Sequence, residues 1–157
     1  MESAQDRKAF IDPLDFAKVL NACPSTEWKL IFALCRHGGL RCPGEVVALK
    51  WQHVNFEAGT ILVHSPKTEH HEGGAQRLVP LFAELKPLFL QAFTEAPEGA
   101  EYVIGRSRDG GVNLRTHAQR IIERAGVTPW PKLFVNLRAS RATELAGEHP
   151  GHVCAKW

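Results

Sequence analysis

The 157-residue sequence predicts an α+β fold, mainly helical with a small three-stranded antiparallel sheet. Apolar residues recur at helical spacing on both sides of residues 54–81, and this middle stretch instead contains three short runs typical of strands. No internal repeat or low-complexity tract interrupts the pattern. Apolar residues at 44% and charged residues at 23% are ordinary for one globular domain.

Three helices are predicted before the sheet. Asp12 and Pro13 are a typical N-cap and first turn, and the apolar face that follows continues to Cys23. A second amphipathic helix is predicted to begin after Pro24-Ser25-Thr26 and to end at Gly38-Gly39. Residues 43–51 predict a third helix.

The middle of the chain predicts the sheet. Residues 54–56 and 60–64 form two predicted strands around a tight turn at 57–59. Residues 77–81 form the third strand, after a polar, glycine-containing loop.

Helices return after the sheet. One is predicted over 82–93, and a second over 114–125, between the cap Asn113 and the terminator Gly126. A last helix is predicted from about 137 to 146, after a rigid connector in which Trp130 is expected to anchor the core. Residues 152–157 resemble the start of another helix.

Charge is distributed unevenly along the chain. The net charge is only +2, but residues 105–141 carry eight basic and two acidic side chains, against eleven basic and fifteen acidic elsewhere. This asymmetry favours an anionic partner such as DNA. The polar N-terminus and the lack of a long apolar run predict a cytoplasmic protein. The cysteines are expected to be reduced thiols: Cys23, Cys35, Cys42 and Cys154.

Three short motifs carry candidate chemistry. The first is Gly39-Leu40-Arg41, followed by Glu45 and by Ala48-Leu49-Lys50-Trp51. The second is Lys67-Thr68, ahead of the third strand, and the third is Asn136-Leu137-Arg138. Guanidinium groups donate two hydrogen bonds at once, so two arginines and a lysine suit the non-bridging oxygens of a phosphodiester.

In this order, the motifs resemble the catalytic domain of the tyrosine recombinase (phage integrase) family, from about Pro13 to Trp157. The resemblance implies that Arg41 and Arg138 bind the phosphate, that Lys67 protonates the leaving 5′-oxygen and that Glu45 supports Arg41. It implies double-stranded DNA as the partner, no cofactor and no metal. It also implies a tetramer on DNA for the parent enzyme, with a monomer as one alternative for this chain.

The sequence departs from the family pattern in several places. One extra residue separates Arg41 from Glu45, and Val135 stands where the family has a histidine or lysine. The family's nucleophilic tyrosine lies downstream of Arg138, but Tyr102 is the only tyrosine here and is expected to be structural. Residues 1–157 are therefore expected to be an integrase-type catalytic domain, incomplete at its C-terminus and without a core-binding domain. Such a chain is expected to bind DNA without cleaving it.

Several residues have competing interpretations. Arg41 could pair with Glu45 on a helix surface, Lys67 could be an ordinary solvated lysine, and Arg138 could contact loop carbonyls. Further DNA contacts are predicted at His70, Arg115 and Arg141, and a solvated role is an equal alternative for Arg141.

Two other functions stay open at the level of sequence. One is a non-catalytic DNA-binding remnant or regulator derived from an integrase. The other, weaker hypothesis is a metal-dependent hydrolase that uses a histidine-rich cluster: His64, His70, His71 and Glu72.

Overall fold

In the part of the chain that the structure describes, helices precede and follow a small sheet. The computed structural model describes residues 9–65, 76–105 and 113–148, with the side chain of Glu148 left aside. These residues form the helices α1 (Pro13–Ala22), α2 (Thr26–Arg36), α3 (Gly44–Ala48), α4 (Lys86–Glu95), α5 (Leu114–Arg124) and α6 (Leu133–Glu148). A 3-10 helix, Trp51–His53, follows α3. The strands are β1 (Val54–Asn55), β2 (Thr60–His64) and β3 (Gln76–Pro80). The predicted α+β fold is confirmed.

The sheet is antiparallel with the order β1-β2-β3. Ile61 pairs with Val54 on one side and with Val79 on the other. Because side chains alternate between the two faces of a strand, this register puts Ile61, Val63 and Val79 together on the core face.

Side-chain caps fix the starts of three helices. Asp12 accepts a hydrogen bond from the backbone N–H of Leu14 at 2.7 Å, Ser25 from Trp28 at 3.2 Å, and Asn113 from Thr116 at 3.1 Å. Each bond satisfies an amide that the first turn leaves without an intrahelical partner. The predicted starts of α1, α2 and α5 therefore have a visible physical cause.

Helix α2 forms the centre of the core. Every side chain from Leu30 to Arg36 is completely buried, and the helix packs against α1, α3, α4 and α6. A helix surrounded in this way has a fixed orientation, and its C-terminal end leads directly into the Gly38-Gly39 turn ahead of Arg41.

Three helix boundaries differ from the prediction. The third helix is shorter than 43–51 and gives way to the 3-10 helix, and the fourth begins at Lys86 rather than at 82, after a turn in which Leu85 N–H bonds to the Phe82 carbonyl at 2.9 Å. The last helix begins at Leu133 rather than near 137. The Trp130 indole N–H bonds to the Leu133 carbonyl at 2.9 Å and stabilises this earlier start. The segment 152–157 lies outside the described residues.

Trp130 packs against the hydrophobic core, as predicted for an anchor. Cys23, Cys35 and Cys42 are free thiols, and Cys154 lies outside the described residues. Among the helices in the described ranges, none has the length and apolar character that a membrane crossing requires.

Candidate active site

The Gly38-Gly39 turn sets the position of Arg41. A Cβ atom on Gly38 would lie 2.7 Å from the carbonyl oxygen of Leu34, and Gly39 has a φ of 70°, which favours glycine. The turn closes with a 3.0 Å hydrogen bond from Leu40 N–H to the Leu34 carbonyl. Leu40 is thereby buried in the core, and Arg41 emerges half-buried at the surface.

Glu45 holds the backbone of Arg41 in place. Its Oε1 accepts a hydrogen bond from the Arg41 N–H at 2.9 Å, and its own N–H donates to the Arg41 carbonyl at 2.9 Å. Across the described residues, the Arg41 guanidinium forms neither a hydrogen bond nor an ion pair. The structure therefore contradicts the alternative in which the side chains of Arg41 and Glu45 form an ion pair.

The carboxylate of Glu45 pairs instead with Arg77 on β3. Arg77 Nη1 lies 2.5 Å from Oε2, and Nη2 lies 2.8 Å from Oε1, which is the two-pronged geometry of strong guanidinium–carboxylate pairs. Burial raises the pKa of Glu45. The hydrogen bonds from Arg77, from the Arg41 backbone and from Ser65 outweigh it, so the pKa lies below its ordinary value. Glu45 is therefore ionised at neutral pH.

Arg138 reaches the same turn from the second turn of α6. Its Nε donates a hydrogen bond to the Gly39 carbonyl at 3.2 Å. Partial burial is the main cause that lowers the pKa of Arg138, followed by the positive charge of Arg41, with a smaller contribution from Arg77. Two arginines that are 97 positions apart in sequence are therefore electrostatic neighbours.

The cluster has an excess of positive charge. Arg77 bonds to the Glu45 carboxylate through its guanidinium, and Arg41 bonds to it through its backbone N–H. The charges of Arg41, Arg77 and Glu45 all influence the pKa of Arg138. The Arg138 Nη atoms, like the Arg41 guanidinium, have no partner within the described ranges. An arrangement with two unpaired planar donors suits a tetrahedral anion such as a phosphodiester.

Arg77 is the site residue that the sequence analysis missed. It lies two positions before Val79, and Val79 faces the core, so Arg77 emerges on the same face of β3. A charged side chain on the core face of a strand requires a counter-ion. The alternation along β3 could therefore have predicted a buried ion pair at Arg77, although the sequence does not identify its counter-ion as Glu45.

Val135 lies one helical turn before Arg138 and is 62% exposed. The spacing of three residues places both side chains on one face of α6. The position where the family resemblance leads one to expect a histidine or lysine is thus occupied by an apolar side chain at the surface beside Arg138.

Arg141, predicted as a DNA contact, is 7% exposed. Its Nη1 lies 3.4 Å from carboxylate oxygens of both Glu84 and Glu144, and its guanidinium lies 4.3 Å from the centre of the Phe82 ring. A buried, paired guanidinium is neither solvated nor presented to an external phosphate. Arg141 is therefore not among the phosphate-binding residues proposed below.

The remaining candidate residues are Arg115, Lys67 and His70, together with the tyrosine Tyr102. Arg115 is exposed in the first turn of α5. Lys67 and His70 lie outside the described residues. Tyr102 is half-buried, forms a backbone bridge with Lys50 and has the Lys50 ammonium 5.5 Å from its ring centre.

The described residues contain no cluster of ligands that would support the metal-dependent hydrolase hypothesis. His71 and Glu72, like His70, lie outside the described residues. Within 9–65, 76–105 and 113–148, no three potential metal ligands come together.

Neither a protein-family model nor a curated protein matches the sequence. Solved structures match its fold. The crystal structure of XerA recombinase has a TM-score of 0.74 at 16% identity, over 99% of this chain and 55% of that chain. The lambda integrase catalytic core has a TM-score of 0.68 at 19% identity, over 94% of this chain and 88% of that chain.

The Tn1549 transposon integrase, solved in complex with circular intermediate DNA, has a TM-score of 0.75 at 14% identity. The match covers 99% of this chain and 58% of that chain. This chain spans little more than half the length of the XerA and Tn1549 chains. The chain has the fold of the tyrosine recombinase catalytic domain.

Proposed function

We propose that this chain is the catalytic-domain fragment of a phage integrase or related site-specific tyrosine recombinase, which acts in DNA integration and recombination. In this proposal Arg41 and Arg138 bind one phosphodiester of duplex DNA. The observation that carries the proposal is the meeting of these two arginines at the Gly39 turn, with their outer nitrogens unpaired among the described residues.

The chemistry of strand exchange explains why two guanidinium groups are needed. Negative charge on the non-bridging oxygens increases as the phosphorus is attacked, and preorganised donors stabilise that charge without reorganisation. Lys67 would protonate the leaving 5′-oxygen as a general acid. The Glu45 carboxylate would support Arg41 by accepting a hydrogen bond from the Arg41 backbone N–H.

DNA is the partner that best fits this fold and charge. Lambda integrase and the Tn1549 integrase have both been solved bound to DNA. In this chain, residues 105–141 carry the basic excess noted above. Arg115 and His70 are proposed as further phosphate contacts, and most of the affinity should come from phosphates and depend on salt.

The same proposal holds that this chain does not cut DNA covalently by itself. Its one tyrosine, Tyr102, is half-buried beneath the Lys50 ammonium. Incubation with a nicked duplex, followed by denaturing electrophoresis, should yield no protein–DNA adduct. A stable adduct would contradict this part of the proposal.

Binding is tested by the fluorescence anisotropy of a labelled duplex over a series of salt concentrations. Arg41→Ala and Arg138→Ala should each weaken binding by about tenfold or more. Each should also reduce the slope of log K against log salt by about one. Arg124→Ala is the matched control, since Arg124 is an exposed arginine at the end of α5. Equal losses in all three variants, or no binding by the wild type, would refute the proposed site.

A second candidate is a non-catalytic DNA-binding protein derived from an integrase, and the exposed Val135 favours it. The two candidates differ in whether the arginines stabilise a reacting phosphorus. A hydroperoxide ion, supplied as an external nucleophile, would attack the phosphorus and release the 5′-oxygen. Strand cleavage by the wild type, but not by Arg138→Ala, supports the catalytic origin, and no cleavage by either supports the second candidate.

A further inference from the structure

The pairing of Arg77 with Glu45 addresses an electrostatic problem at the proposed phosphate site. Glu45 is 2% exposed, and its Oε1 lies 2.9 Å from the backbone nitrogen of Arg41. A carboxylate beside the proposed site would compete with phosphate for the guanidinium groups of Arg41 and Arg138. Its negative charge already influences Arg138, where it opposes the lowering of the pKa.

Arg77 occupies the carboxylate from the opposite side. Both of its Nη atoms bond to Glu45, one to each carboxylate oxygen. Its Nε is also buried and has no hydrogen-bond partner within the described ranges, so the hydrogen bonds that the Arg77 side chain forms there both go to Glu45. The Glu45 side chain is 1% exposed and the Arg77 side chain 24%, so water does little to screen the pair.

We propose that Arg77 is a positioning residue: an internal counter-ion that occupies Glu45 and so leaves Arg41 and Arg138 free to bind phosphate. The inference rests on the proposed function. Glu45 holds the Arg41 backbone by accepting its N–H. Because Arg77 neutralises the Glu45 carboxylate, that carboxylate can lie beside the site without binding the guanidinium groups that are proposed to bind phosphate. Without Arg77, the Glu45 carboxylate pairs with the side chain of Arg41, whose backbone N–H it already bonds.

The test uses the whole chain and the anisotropy of a short labelled duplex. Arg77→Gln should bind DNA about tenfold more weakly than the wild type, with a salt slope reduced by about one, because the Arg41 contact is lost. Glu45→Gln/Arg77→Gln should return to within about twofold of the wild type. In that variant an amide replaces the competing carboxylate and still accepts the Arg41 N–H. Rescue by a second substitution separates this role from mere support of the fold.

The affinities of the two variants for DNA decide between the inference and its alternatives. Wild-type affinity in a folded Arg77→Gln variant would overturn the inference, as would a double variant that binds as weakly as Arg77→Gln. If Arg77→Gln fails to fold, the double variant decides alone: binding near the wild-type level supports the inference, and a tenfold loss overturns it. Failure of the wild type itself to bind DNA would instead refute the proposed function.

Discussion

The Nε of Arg138 donates a hydrogen bond to the Gly39 carbonyl at 3.2 Å, across 99 positions of sequence. This bond joins α6 to the turn that presents Arg41. It uses one edge of the guanidinium and leaves the two Nη atoms for an anion. Arg138 therefore has both a structural contact and a proposed binding role, which a guanidinium can combine because its donors point in fixed, different directions.

Arg138→Lys should fail as a substitute even though it keeps the charge. The donors of a lysine ammonium all lie on one nitrogen. The ammonium therefore cannot bond to the Gly39 carbonyl and also present two parallel donors to phosphate. We expect about tenfold weaker binding to duplex DNA. The salt slope should stay nearly unchanged, since the charge count is the same.

Fluorescence anisotropy over a salt series measures both quantities. Arg124→Lys is the control and should bind as the wild type does. If Arg138→Lys bound DNA as tightly as the wild type, the geometry of the guanidinium would not contribute to binding. Positive charge alone would then account for the contribution of Arg138.

Local interactions account for what the sequence predicted well. The caps at Asp12, Ser25 and Asn113 bond to amides two or three residues away, so their effect is visible in a short window. Strand β2 likewise shows a local alternation, because Ile61 and Val63 are buried while the residues on either side of them are only partly buried. These features fix the fold class without any tertiary information.

Long-range partners account for what the sequence did not predict. Arg77 and Glu45 are 32 positions apart, and Arg141 and Glu84 are 57 apart, so no local pattern joins them. The start of α6 at Leu133 also depends on tertiary packing, because Leu133 and Leu137 are both buried in the core. The sequence identified Arg41 and Arg138 through motifs, but could not show that Arg141 is buried.

Val135→Lys should strengthen DNA binding. Val135 is exposed on the face of α6 that carries Arg138, so a lysine there would place a fourth cation beside the proposed phosphate. We expect affinity to rise several-fold at low salt and the salt slope to steepen by about one. Val135→Gln, of similar length but uncharged, is the control. No change with lysine would indicate that DNA does not contact this face of α6.

Glu144→Gln should destabilise the fold at neutral pH. Glu144 accepts hydrogen bonds from Arg36 at 2.6 and 3.0 Å, and Arg36 is completely buried. Removing the counter-charge leaves the buried guanidinium only partly compensated by the Ile11 carbonyl. We expect a loss of about 2 kcal/mol in the free energy of unfolding at pH 7, measured by urea denaturation.

The effect of Glu144→Gln should depend on pH. Chiefly through its hydrogen bond with Arg36, the pKa of Glu144 in the folded protein is lowered. The stabilisation is therefore complete above the ordinary carboxyl pKa and is lost as the pH falls through the lowered value. The difference between wild type and variant should shrink in acid. Glu95→Gln, at an exposed position of α4, is the control and should change the unfolding free energy at pH 7 by little. A Glu144→Gln penalty that stays constant from pH 7 to strong acid would rule out the ion pair as its cause.

His37 should make the protein sensitive to mild acid. Burial is the main cause that lowers its pKa from 6.5 to about 4, and Arg36 and Arg141 add to this while Glu84 and Glu144 oppose it. Its buried Nδ1 has no hydrogen-bond partner among the described residues, although Glu84 Oε2 lies 3.7 Å from it. The ring packs edge-on against Phe16 at 5.1 Å. Since the unfolded chain binds the proton more readily, stability is complete above pH 6.5 and falls as the pH drops towards 4.

His37→Gln should remove this sensitivity. Between pH 7.5 and pH 5 the wild type should lose roughly 2 kcal/mol more unfolding free energy than the variant, a figure that follows from the separation of the two pKa values. Urea denaturation at a series of pH values measures the difference. Gln52→Ala, at an exposed position of the 3-10 helix, is the control and should follow the wild-type curve. Parallel curves for the wild type and His37→Gln would show that the imidazole is already protonated, or accessible to water, in the folded protein.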